Sequence, residues 1–203
     1  MKPEAIESLS FQIIDREAGP HGFSERQWTV IRRMIHTSAD FDYMDTVRFH
    51  PNAIDAGIQA IRQGNNVVTD TNMAKAGIRG KELANYGGQV HCLITDPDVA
   101  RAAKQAGSTR AEAAVDAAVN LMDGGIYVVG NAPTALLRLI ELINSRTARP
   151  ALVVGLPVGF VNAAESKAEL IQMDIPYISN VGRKGGSNLA ASVVNALIIQ
   201  ASA

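Results

Sequence analysis

His36 closes the run Arg32-Arg33-Met34-Ile35-His36, with one arginine three residues before it and another four before it. On a helix such positions are neighbours, and adjacent cations favour the neutral imidazole. A neutral histidine can exchange a proton with a bound ligand near neutral pH. A helix-borne histidine also suits a structural or surface role when taken alone. The other three histidines have less support: His21 follows Gly19-Pro20 in a turn, His50 immediately precedes Pro51, and His91 lies in an apolar run.

Small and basic residues gather in three turns. Gly130-Asn131-Ala132-Pro133-Thr134 reads as a helix start, with Asn131 as cap and Pro133 in the first turn, and its small residues leave backbone N–H groups open to a carboxylate or phosphate. Gly182-Arg183-Lys184-Gly185-Gly186-Ser187 suits a solvated basic turn as well as an anion cradle. Gly107-Ser108-Thr109-Arg110 puts an arginine in the first turn of a helix, where the dipole disfavours it and a ligand would justify it. The single cysteine, Cys92, cannot form an internal disulfide and reads as a small buried hydrophobe. There is no Gly-x-Gly-x-x-Gly after the first strand, no phosphate-binding Walker loop and no His or Cys pair at metal-ligand spacing. Those absences weaken a dehydrogenase or kinase reading, and no cofactor is expected.

Elements must hold these residues. From 125 to 167 the chain twice runs from a short β-branched stretch into a glycine and a small, polar turn that opens a helix. Apolar runs without polar alternation suit strands buried on both faces of a parallel sheet, and in such sheets ligands bind outside the carboxyl ends of the strands. The turns 130–134 and 155–167 are therefore expected side by side at the mouth of a site. Strands are predicted at 67–69, 90–94, 126–129, 152–154 and 177–179, followed by helices at 72–76, 98–105 with 108–122, 134–143, 163–173 and 189–199.

Upstream, Ile6, Leu9, Ile13 and Ile14 mark an amphipathic helix that ends before Gly19-Pro20. Ser24 and Gln27 match a capping box for a second helix, which carries Trp28, Ile31 and Ile35 on one face. Pro51 is expected to open a third that ends at Gly64, and 46–49 is a candidate extra strand. The fold class that follows is α/β, a three-layer α/β/α arrangement around a mostly parallel sheet of five strands, or six with 46–49, joined by right-handed crossovers.

A chain of 203 residues, 47% of them hydrophobic and 19% charged, can bury a sizeable core, so one domain over 1–203 is expected. The net charge of -1 argues against nucleic acid as a partner, which makes any anion site local. No apolar run approaches the roughly 20 residues of a membrane span, and no charged segment precedes an apolar one as in a leader. The expected location is cytoplasmic.

His36 within Arg33-Met34-Ile35-His36, Ser108-Thr109-Arg110, Gly130-Asn131-Ala132-Pro133-Thr134-Ala135-Leu136, Pro157-Val158-Gly159-Phe160-Val161 with Ala164-Glu165-Ser166-Lys167, and Gly182-Arg183 with Gly185-Gly186-Ser187 together resemble the precorrin-8X methylmutase family, which includes the cobalt-precorrin-8 methylmutases of the anaerobic route. The resemblance runs from about residue 6 to residue 197. It implies a flavodoxin-like fold, a homodimer, a place in cobalamin biosynthesis and a 1,5-sigmatropic shift of a methyl group from C-11 to C-12 of the macrocycle, giving hydrogenobyrinate or cobyrinate. It also implies His36 as proton donor and acceptor, with Ser10 and Arg33 as substrate contacts.

Such a substrate is a flat, polycarboxylated tetrapyrrole. Arg33, Arg110, Arg183 and Lys184 are the candidate cations for it, with Asn131, Thr134, Gly185, Gly186 and Ser187 in the turns around them, and bidentate arginine pairing suits peripheral carboxylates. A ligand this broad overfills an ordinary pocket of about 300 to 1,000 Å³, so the site is expected between two subunits. Two rival readings stand beside this one. The first is a corrinoid carrier that binds without altering its ligand, and the second is an α/β isomerase of a phosphorylated metabolite, with phosphate sites at the Asn131 and Gly185 turns.

Overall fold

The computed structural model describes residues 3–202. In chain order the elements are α1 (Pro3–Ala18), α2 (Glu25–Ser38), α3 (Tyr43–Thr46), β1 (Val47–Phe49), α4 (Ala53–Arg62), β2 (Val67–Thr69), α5 (Asn72–Gly77), α6 (Gly80–Ala84), β3 (Val90–His91), α7 (Pro97–Ala106), α8 (Arg110–Ala117), β4 (Ile126–Val129), α9 (Pro133–Asn144), β5 (Leu152–Gly155), α10 (Ala163–Ile171), β6 (Tyr177–Asn180) and α11 (Ser187–Ala201). The strands form one sheet in the order β1-β6-β5-β4-β2-β3. All neighbours pair in parallel except β1, which closes the β6 edge antiparallel with Arg48 opposite Ser179. The five parallel strands taken alone have the flavodoxin-like order, whose switch point lies between its first and third strands. Here those strands are β2 and β4, where Val67 faces Ile126 and Thr69 faces Val128.

Burial on both faces explains the unbroken apolar runs. All four residues of β4 are buried, yet they serve two cores in alternation, as the two-residue period of a strand requires. Ile126 and Val128 join Ile31, Met34, Ile35, Ile61 and Leu197 on one face, while Tyr127 and Val129 join Met122, Leu136, Leu139 and Leu170 on the other. Each such side chain contributes about 1.5–3 kcal/mol by leaving water. α11 is buried on nearly every side, with Leu189, Val193, Val194, Leu197 and Ile198 all at most 2% exposed. Among the described residues, no helix is long and apolar enough to cross a membrane.

The boundaries differ from expectation where local chemistry intervenes. β3 stops at His91 because it is an edge strand that pairs only with β2, through Val67 and Val68. The chain then turns, with Asp96 N–H donating to the Leu93 carbonyl and Asp96 capping α7 ahead of Pro97. The predicted helix 108–122 ends at Ala117, and the turn beyond it reaches Gly124, whose φ is +64°. Pro51 lies in the turn before α4, which starts at Ala53. The Ser24–Gln27 capping box is present, with bonds of 3.3 and 3.0 Å, and 46–49 contains the sixth strand, β1.

Candidate active site

The first group of site residues sits where α1 crosses the end of α2. Val30, Ile31, Met34 and Ile35 bury one face of α2, and His36, in its last turn, is turned outward and exposed. Ala39 ends the helix with φ 54°, its N–H donating to the Ile35 carbonyl at 2.7 Å. From α1 the Phe11 ring meets the His36 ring edge to face, with centroids 5.2 Å apart. The guanidinium groups of Arg32 and Arg33 lie over the same phenyl ring, at 4.5 and 5.3 Å. Arg33 donates to Glu7 at 3.1 Å and Arg32 to Asp15 at 2.8 Å, so each cation expected to bear on His36 is answered by a carboxylate of α1. A cleft of about 300 Å³ opens beside them, walled by Ser10, Ile13, Glu17, His36, Ala39 and Phe41. The Ser10 hydroxyl donates to the Ile6 carbonyl at 2.9 Å, which leaves its oxygen to accept.

The second group gathers at the carboxyl ends of the parallel strands. The Thr109 and Thr134 hydroxyls are 3.2 Å apart, and those of Thr71 and Ser187 are 2.8 Å apart. Asp70, directly after β2, is 2% exposed and accepts the N–H groups of Gly130, Asn131 and Ala132, each at 2.8 Å. Burial raises the pKa of this carboxyl, against the pull of the three N–H groups. The anion in this turn therefore comes from the chain itself, contrary to the expectation of open N–H groups. α9 starts after Ala132 with no side-chain cap, so Asn131, which is exposed, is not the expected cap.

The other turn is also more structural than expected. A Cβ on Gly185 would fall on the carbonyl oxygens of Leu156 and Pro157, and Gly186, at φ +138°, donates its N–H to the Leu156 carbonyl at 2.9 Å. These glycines let two loops touch and do not form an open cradle. Ser187 is 7% exposed and its hydroxyl is engaged by Thr71, so it faces the interior.

Lys184 bridges the two groups. Its ammonium binds Asp40 at 2.5 Å and Asp42 at 2.7 Å, tying the turn after β6 to the segment that follows His36. The hydrogen bond from Lys184 holds the Asp40 carboxyl below its ordinary range. Lys184 is thus a tether whose charge is answered by two carboxylates. Arg110 and Arg183 are different: both are exposed and neither forms an ion pair among the described residues. Arg110 is the first residue of α8, after a capping box in which Thr109 and Glu112 exchange bonds of 3.1 and 2.6 Å. Arg183 lies over the ring of Phe160, 5.5 Å from its centre, and that phenylalanine is 84% exposed.

Two residues that matter here carried no role in the sequence reading. Lys167 is fully buried and donates to the Asn180 side chain at 3.1 Å and to the Lys184 carbonyl at 2.6 Å. Burial alone lowers its pKa to about 8. Its signal was a lysine within the stripe Ala163, Ser166, Lys167 and Leu170, all buried on α10. Asp70 showed only as an acid at the carboxyl end of an apolar strand.

A family model described as precorrin-8X methylmutase matches residues 5–200. The cobalt-precorrin-8 methylmutase of Priestia megaterium is 47% identical over 201 residues, covering 99% of this chain and 89% of that protein. The cobalt-precorrin-8 methylmutase of Leptospira interrogans is 46% identical, covering 97% of this chain and 93% of that one. A crystal structure of the precorrin-8X methylmutase from Thermus thermophilus superposes with a TM-score of 0.91 at 48% identity, over 98% of this chain and 96% of that one. With the match spanning nearly the whole sequence and the same fold found in a relative of this identity, the chain belongs to the precorrin-8X methylmutase family, an isomerase family of cobalamin biosynthesis.

Proposed function

We propose that this protein moves a methyl group from C-11 to C-12 of a precorrin-8 macrocycle by a 1,5-sigmatropic shift, with His36 as the group that gives and recovers the proton. The observation that carries this reading is the exposed imidazole on the wall of a cleft, oriented by Phe11 and faced by Ser10. Protonation of the conjugated ring system makes the migration terminus more electron-poor. The bond from the methyl to C-11 breaks as the bond to C-12 forms, the proton returns to the imidazole, and no electrons are gained or lost. General acid catalysis is worth about 10² to 10⁴ in rate, and a fixed substrate conformation in a preorganised field supplies the rest. Arg110 and Arg183, exposed at the rim, would pair with peripheral carboxylates, and Arg33 stands beside His36.

The functional unit on this reading is a homodimer in the cytoplasm. A cleft of about 300 Å³ is small for a tetrapyrrole. Beside it Ile6, Leu9 and Ile13 stand 52, 44 and 37% exposed on one face of α1. A second copy laid on that row would bury it and deepen the cleft.

Incubation with cobalt-precorrin-8, and separately with its metal-free counterpart, tests the proposal. A shifted chromophore and a labelled methyl carbon at C-12 by NMR are expected. A corrinoid that binds and comes back unchanged would make the protein a carrier, and protection against heat by phosphate alone would favour the phosphorylated-metabolite reading.

A further inference from the structure

In sheets of this order the crevice at the switch point takes the ligand, but here it is filled from within. Asp70 leaves β2 with its N–H donating to the Val128 carbonyl at 3.0 Å, which fixes its backbone against β4. Its carboxylate then accepts three successive N–H groups, 130 to 132, all at 2.8 Å. Successive N–H groups converging on one point make the concave nest that holds phosphate in other proteins, and bonds to an ionised acceptor are the strong ones. There is little slack around the turn, since a Cβ on Gly130 would stand 2.6 Å from the Ser187 Cα. The same turn carries Asn131 and leads to Thr134, whose hydroxyl meets Thr109 next to Arg110.

We propose that Asp70 is a positioning residue, a built-in anion that sets the 130–134 turn for the substrate and closes the nest to phosphate and to the carboxylates of the macrocycle. The peripheral carboxylates are thereby left to the arginines at the rim. Its effect on turnover rests on the methyl-shift reading, whereas the occupancy of the nest does not. Asp70→Ala leaves three N–H donors around a gap shaped for a carboxylate, and formate is small enough to enter it.

The test compares wild type, Asp70→Ala and Asp70→Asn in sodium formate against sodium chloride at equal ionic strength, reading Tm and turnover. Asp70→Ala is expected to melt about 10 °C lower and to turn over on the order of 100-fold more slowly. Formate, and not chloride, should recover a saturable part of both losses and leave wild type unmoved. Asp70→Asn, whose amide fills the nest, should lose turnover and stay insensitive to formate. Wild-type turnover in either variant, no response of Asp70→Ala to formate, or an Asp70→Ala protein that stays insoluble in formate would overturn the proposal. A wild-type protein without methylmutase turnover would instead defeat the methyl-shift reading, and the Tm measurements would still decide the role of Asp70.

Discussion

A lysine without a counter-ion is costly to bury, and Lys167 shows where that cost is used. Its two bonds reach the Asn180 side chain and the Lys184 carbonyl, so it pins the backbone of the same residue whose ammonium is tethered to Asp40 and Asp42. The folded protein releases the Lys167 proton near pH 8, while the unfolded chain keeps it to about the ordinary 10.5. Across that window the unfolded state binds more protons, so this group makes the fold more stable as pH rises, by at most about 1.4 kcal/mol per pH unit. Lys167→Met should lack that slope. Urea unfolding of the two proteins over the window checks it, since the stability of wild type minus that of the variant should grow with pH, and a constant difference would contradict the assignment. The helices that carry Ser10, Arg33 and His36 were legible from the apolar spacing of Ile6, Leu9, Ile13 and Ile14 and from the Ser24–Gln27 capping box. Asp70 was not, because its partners lie 60 to 62 residues away and nothing local marks the pairing.

At the scale of elements, the turn after β4 and the start of α11 touch so closely that only a glycine fits at 130. Gly130→Ala pushes a methyl group into the Ser187 backbone and should cost about 1–3 kcal/mol. A thermal melt lowered by about 3–10 °C is the expected reading, and an unchanged melt would mean that the two segments part without cost. The parallel strands could be read from sequence because each is an apolar run closed by a turn, and the capping boxes of α2 and α8 hold both of those helix starts. α3 and α6, of four and five residues, are too short to show a helical period. The end of β3 depends on how far its single neighbour extends, which no local pattern encodes. The glycines at 185 and 186 suggested an anion cradle because a close approach of loops and an open nest use the same residue type.

For the whole molecule, His36 and Ser10 line one cleft, and Lys184 ties the segment after His36 to the turn that carries Arg183. The row Ile6, Leu9 and Ile13 is one apolar surface that a lone chain leaves exposed, as are Phe160 and Val161. If two copies share this row, Ile6→Glu combined with Leu9→Glu should give a monomer in sedimentation and raise KM for the macrocycle several-fold, with the Tm of the isolated fold little changed. A monomeric wild type of full activity would contradict the shared site. The net charge of -1 does not show that Arg32, Arg33 and Lys184 are answered by acids while Arg110 and Arg183 form no ion pair among the described residues. The most direct test of the proton transfer is a single turnover of His36→Asn, with macrocycle binding followed by tryptophan fluorescence and product by its visible spectrum. The macrocycle should still bind and product should form at least about 100-fold more slowly; product formation at the wild-type rate would contradict proton transfer by His36.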